Sequence, residues 1–186
     1  MIWIISISIL CVFALLMLPG ALIHNVTFTA VTLIQRKTNE AFALTLLPEI
    51  AEKWIPNFSG ISWQSGSATE IGSKGAILLK NESFPIEVTH FIPNYRWAFK
   101  TPNSGKVASV QISFYRTGTS ETRVVLLIKA SSSSVLKRTL MAIGKNSSQQ
   151  NLENKLNKLA QAVQNTSITP TLFEDTTAEQ NPNLTL

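Results

Sequence analysis

Two histidines and two tyrosines are the side chains of this chain best suited to move a proton near neutral pH. His90 lies in "IEVTHFI", alternating with Ile86, Val88 and Ile92. That alternation predicts a strand with His90 on the apolar face, where an imidazole titrating near neutrality would serve as a general acid or base. Tyr95 or Tyr115 would assist. Glu82 and Glu87 are close in sequence, but Glu87 is an odd number of positions from His90 and so falls on the opposite face of the same strand. His24 adjoins a long apolar segment and reads as an interface residue. The bland reading of His90, a hydrogen-bonded core or rim side chain, stands beside the catalytic one. No grouping of His, Cys, Asp and Glu has metal-ligand spacing, and no nucleophile elbow, phosphate loop or dinucleotide fingerprint occurs. No cofactor is expected. Asn-x-Ser/Thr sequons at Asn25, Asn57, Asn81, Asn146, Asn165 and Asn183 are read as chance in a chain rich in Asn, Ser and Thr.

The elements that must position these groups begin with composition. The chain has 186 residues, 45% hydrophobic and 15% charged, with a formal net charge of +5. This suggests one domain plus an extra apolar segment. The basic excess suits anionic headgroups or plain solubility. It is not gathered into a dense Lys/Arg cluster, so nucleic acid is not an expected partner. The single Cys11 rules out a disulfide within the chain.

Residues 1–23 carry no charged side chain. About 18 residues before Pro19 are apolar or small hydroxyls, close to the length that crosses a bilayer. The segment lacks the basic start of a signal peptide and offers only a weak cleavage site in "LPGAL", which favours an uncleaved single-pass anchor over a signal-like segment. In a bacterium that places the chain in the inner membrane. Arg36 and Lys37 follow the span, and the positive-inside rule gives a weak bias toward a cytoplasmic domain that leaves its side of the membrane open.

Next comes "NVTFTAVTLI", a strand by its β-branched alternation. "KTNEAFALTLLPEIAEKWI" reads as two short helices, the first capped by Thr38 or Asn39, the second opened by Pro48 and ending at Trp54 before Pro56. Six strands follow: "GISWQSG", "GSKGAILLK", "FPIEVTHFI", "YRWAFKT", "KVASVQISFYR" and "TRVVLLIKA". Tyr95, Trp97 and Phe99 should share a face, as should Val110, Ile112 and Phe114, and Val124, Leu126 and Ile128. One-sided burial of this kind predicts an antiparallel sheet with a cover. The cover is helical, "SVLKRTLMAIGKNSSQQNLENKLNKLAQAVQN", weak at "GKNSSQQ". Leu152, Leu156, Leu159 and Val163 form its apolar stripe. Residues 166–186 are polar and expected to be disordered.

This α+β order resembles the helix-grip fold of the START-like superfamily, and most closely its bacterial polyketide-cyclase/dehydrase and lipid-transport branch, the SRPBCC proteins. "TNEAFALTLLPEIAEKWIPNF" is similar to the first helix pair of that family. "IGSKG", "THFIPNYRWAF", "GTSETRVVL" and "LENKLNKLAQAV" are similar to its glycine turn, strand–Pro–strand unit, hairpin and closing helix. The likeness covers residues 25–165. Arg36-Lys37 stands where the family often has Ala-Pro.

The resemblance implies a curved sheet of about seven strands gripping the long helix, with a cavity between them for a lipid-like or polyketide-like molecule. Trp54, Phe58 and Trp63 would line or close its mouth. His90, Tyr95, Trp97, Phe99, Ile112, Phe114 and Leu126 on the sheet, with Leu156 on the helix, would line its interior. Three functions remain open: a membrane-anchored carrier of a hydrophobic ligand, a tethered interaction domain with a filled core and a protein partner, and a cyclase/dehydrase-type enzyme using His90.

Overall fold

The computed structural model describes residue 22 and residues 25–103 and 106–167. The expected anchor over residues 1–23 and most of the expected tail lie outside the described residues. Among the described residues no helix is long and apolar enough to cross a membrane.

Strand β1 (Asn25–Ile34) is followed by helices α1 (Thr38–Thr45) and α2 (Pro48–Trp54). Six strands succeed them: β2 (Phe58–Ser65), β3 (Lys74–Leu79), β4 (Glu82–Ile92), β5 (Arg96–Asn103), β6 (Lys106–Arg116) and β7 (Thr122–Ser132). Helices α3 (Val135–Ile143) and α4 (Lys145–Gln164) complete the fold. The sheet runs β1-β7-β6-β5-β4-β3-β2. Every neighbouring pair is antiparallel. Seven antiparallel strands wrapped on a long C-terminal helix make this a helix-grip fold.

Alternation along the strands decides what that helix meets. Ala30, Ile34, Ile112, Phe114, Val124 and Leu126 are buried on the inner face, and Leu152, Leu156, Leu159 and Val163 come down onto them from α4. The wholly buried Phe42 of α1 packs edge-on to Phe114, with ring centroids 5.2 Å apart, and tilted against Phe91. Gly144 separates α3 from α4, at the start of the weak stretch expected from the sequence.

The open edge of β1 is closed by a side chain. The Gln149 amide accepts from the Thr29 N–H and donates to the Thr29 carbonyl, so it behaves as one residue of a missing strand. Arg36, at the place of the expected Ala-Pro, ties the end of β1 to the C-terminus of α4 by donating to the carbonyls of Gln164 and Thr166. Unpaired carbonyls at a helix end favour such a cation.

Two local expectations are corrected. The N-cap of α1 is Lys37, without a side-chain bond, rather than Thr38 or Asn39. The Thr38 hydroxyl is instead a partner of the buried Thr122 hydroxyl, 3.1 Å away, which also donates to the Arg36 carbonyl at 2.8 Å. A buried hydroxyl needs those partners more than an exposed helix start needs a cap. At the other end, the ordered domain reaches past residue 165: Thr166 is buried and donates to the Ala162 carbonyl at 2.7 Å.

Candidate functional site

An apolar cavity lies between the α1–α2 corner and the inner face of β2, β3, β5 and β6. Pro48 builds the corner. It occupies the first turn of α2, where its missing N–H costs nothing, and so lets one short helix follow another at an angle. Thr45, Leu46 and Ala51 face the cavity from this corner, and Trp54 and Phe58 close it where α2 gives way to β2. Trp97, Phe99 and Ile112 form the floor. The rings of Trp97 and Phe99 lie 4.9 Å apart and tilted. The volume is about 70 Å³, the room of two or three water molecules at about 30 Å³ each.

The polar groups of the cavity are few. The Thr45 hydroxyl is spent on the Ala41 carbonyl at 2.7 Å, a bond within its own helix. Trp97 Nε1 donates to the carbonyl of Ala68, 3.0 Å away in the β2–β3 connection. Trp54 Nε1 is buried with no hydrogen-bond partner. An indole N–H out of water and unpaired is costly, by about 1–3 kcal/mol.

Of the eleven residues expected at the site, five line this cavity: Trp54, Phe58, Trp97, Phe99 and Ile112. Phe114, Leu126 and Leu156 do not. They are at most 2% exposed and fill the space between sheet and α4, where the resemblance had put the cavity. Side chains of that size occupy the space at the centre of the two layers. Trp63 covers the bare backbone of Gly75: a β-carbon there would stand 2.9 Å from Trp63 Cε3.

His90 is exposed, against the expectation of an inward-facing imidazole. The cause is a bulge. Val88 pairs with Phe99 and His90 with Ala98, leaving Thr89 as an extra residue in β4. A bulge of one residue inverts the alternation beyond it, so Phe91 turns inward opposite Trp97 and His90 turns out.

Tyr95 is also absent from the cavity. It follows Asn94, whose φ of 60° belongs to the left-handed region, and it precedes β5 rather than lying in it. Its ring meets Tyr115 edge-on at 5.6 Å. Tyr115 alternates with the buried Phe114, so both tyrosines sit on the outer face, with Arg96 over one ring and Arg123 over the other. Sequence reasoning missed nine lining residues, among them Thr45, Leu46, Pro48 and Ala51 of the helix corner. The available signal was Leu46-Leu47-Pro48, apolar residues at a helix joint that no single helical stripe explains.

Two larger but open recesses flank α3. One, of about 500 Å³, lies over Ala108 and Ala130 at the end of the sheet. The other, of about 380 Å³, lies against Phe28 and Ile128. Neither encloses the aromatic cluster. Among the described residues no group of His, Cys, Asp and Glu could hold a metal ion.

Fold and cavity together define a helix-grip protein with an apolar pocket beneath the α1–α2 corner. No family model matches the chain, and no curated protein matches it. Solved structures do. Protein TTHA0849 of Thermus thermophilus superposes with a TM-score of 0.57 at 16% identity, over 74% of this chain and 97% of that one. Protein MLL2253 of Mesorhizobium loti gives 0.57 at 15% identity, over 77% and 100%. DynU16, described as a protein of the dynemicin biosynthetic locus, gives 0.56 at 15%, over 75% of this chain and 47% of its own. Likeness at these identities establishes the shared fold.

Proposed function

We propose that this chain is a binding module for a small hydrophobic molecule, of the START-like/SRPBCC kind, held at a membrane by residues 1–23. The observation that carries the reading is the cavity behind Trp54 and Phe58, with its mostly apolar lining and the Thr45 hydroxyl and Trp97 indole at its walls. A mostly apolar pocket with a few placed polar groups is the usual form of a small-molecule site. The resemblance to START-like proteins suggests a lipid-like or polyketide-like ligand. A volume of about 70 Å³ admits only part of such a molecule, so uptake requires α2 to move outward.

The same small volume favours a second reading, an interaction domain with a filled core. The enzymatic reading rested on His90, and the exposed position of that side chain takes away its support.

The deciding experiment is native mass spectrometry on full-length protein extracted gently from a lipid-containing host. The carrier reading expects a co-purifying apolar mass that is lost in Trp97→Ala while the fold is kept. A clean apo mass, with no uptake of an apolar fluorescent probe, overturns it in favour of the filled core.

A further inference from the structure

Helix α3 is amphipathic, yet it presents its apolar side to solvent. Leu136, Leu140 and Ile143 recur at i, i+4 and i+7, one stripe of a helix, and they are 51%, 61% and 67% exposed. The residue that α3 buries is Thr139. An ordinary surface helix does the reverse. Lys137 lies beside the stripe, Arg138 is next in sequence, and Lys145 follows the helix. No acidic residue occurs between Glu121 and Glu153.

The position of α3 adds a second observation. Asn25, the first residue of β1, pairs with Ser131 of β7, and α3 begins just beyond, at Val135. The uncharged segment 1–23 therefore joins the domain at the end where α3 lies. From Ile23 to Asn25 the chain can span no more than about 7 Å. Leu22, at this junction, is 71% exposed. Phe84, at the start of β4 on the same end of the sheet, is 38% exposed.

We propose that α3 lies flat on a bilayer surface carrying anionic lipids, its Leu136–Leu140–Ile143 stripe among the upper acyl chains and its lysines at the headgroups. Interfacial helices combine an apolar face with cations in this way. Each basic residue near an anionic surface adds attraction. The inference goes beyond ligand binding and rests on the reading that residues 1–23 enter the bilayer. The recess of about 500 Å³ between α3 and the sheet end, lined by Leu140, Met141 and Lys137, would then open at the lipid surface.

The test uses full-length protein in vesicles of phosphatidylethanolamine and phosphatidylglycerol, with spin labels read for access to oxygen and to a water-soluble nickel chelate. Cys11 is the single cysteine and reports on the N-terminal segment directly. In a Cys11→Ser background, Leu140→Cys reports on α3, and Ser120→Cys, exposed in the β6–β7 hairpin at the far end of the sheet, serves as the aqueous control. The expected result is oxygen-favoured access at Cys11 and at Leu140→Cys, nickel-favoured access at Ser120→Cys, and a several-fold lower oxygen preference at Leu140→Cys when phosphatidylcholine replaces the anionic lipid.

An oxygen-favoured Cys11 with a nickel-accessible Leu140→Cys overturns the proposal and leaves the anchor standing. A nickel-accessible Cys11 overturns the anchor, and Leu140→Cys then decides for α3 alone. A label at Leu140→Cys shielded from both reagents means that protein covers the stripe, a second copy or residues 1–23, and also overturns the proposal. An oxygen preference unchanged in phosphatidylcholine overturns its anionic part.

Discussion

Trp97 Nε1 donates to the carbonyl of Ala68 at 3.0 Å, so the floor of the cavity holds one of its walls. Both residues line the same space. The bond fixes the β2–β3 connection over the pocket, across 29 positions of sequence. Trp97→Phe keeps an aromatic floor and removes the donor. The expected loss is about 1 kcal/mol, the usual net value of such a bond. Hydrogen exchange should quicken at residues 66–73 and stay unchanged in β6 and β7. Equal quickening across the sheet would mean that the bond does not act on the loop.

Trp54 is the complementary case, since its Nε1 is buried and unpaired. Trp54→Phe should leave the apo protein as stable as before or slightly more so, because an unmet donor is removed. A purely hydrocarbon probe should bind equally to both forms. Thermal unfolding and probe titration read the two effects separately.

These two tryptophans mark how far the sequence could be read. Strand order, helix pair and closing helix were legible because each rests on a local period, as with Val110, Ile112 and Phe114. Leu152, Leu156, Leu159 and Val163 were legible as a buried stripe for the same reason. Whether a buried apolar residue meets another or meets a void depends on what faces it across the fold. Leu156 and Trp97 carry the same signal in sequence, and the first is packed while the second is a floor. Backbone irregularities were hidden too. The bulge at Thr89 turned His90 outward, and the left-handed Asn94 turned Tyr95 outward, although Phe91 beside His90 was an available competitor for the inner face.

Gly75 offers a test of close packing behind Trp63. A β-carbon at this position would stand 2.6 Å from the Ser62 carbonyl oxygen and 2.9 Å from Trp63 Cε3. The first neighbour is backbone of a paired strand and cannot step aside. Gly75→Ala should destabilise by about 1–3 kcal/mol, the range for overpacking, and shift Trp63 fluorescence. An unchanged denaturant midpoint would show that β2 can move away from β3.

Glu87 and Lys100 form a cross-strand pair between β4 and β5, 2.8 Å apart. The Lys100 ammonium, hydrogen-bonded to the carboxylate, holds the Glu87 carboxyl below its ordinary range. A group whose folded pKa is depressed adds stability above its unfolded value, near 4.3, and loses it as pH falls through the folded value. Glu87→Gln should therefore flatten the fall of stability between neutral and acid pH. The effect at neutral pH should be small, because the pair is partly exposed. Urea midpoints measured at neutral pH and below pH 4 provide the comparison, and parallel losses in wild type and variant would remove Glu87 from the acid response.

His90 separates a binding module from an enzyme. The Thr89 bulge sets its imidazole on the outer face, whereas the cavity is lined from the inner one. A proton donor or acceptor must come within hydrogen-bond reach of the group it serves, directly or through one water. From the outer face it cannot do so without reversal of the β4 register, which would expose Phe91 and break its contact with Phe42. His90→Ala should therefore change stability by no more than about 0.5 kcal/mol, as expected for an exposed site, and leave probe affinity unchanged from pH 5 to pH 8. A pH dependence of probe binding in wild type that is abolished in His90→Ala would bring the imidazole back to the cavity and reopen acid–base chemistry there.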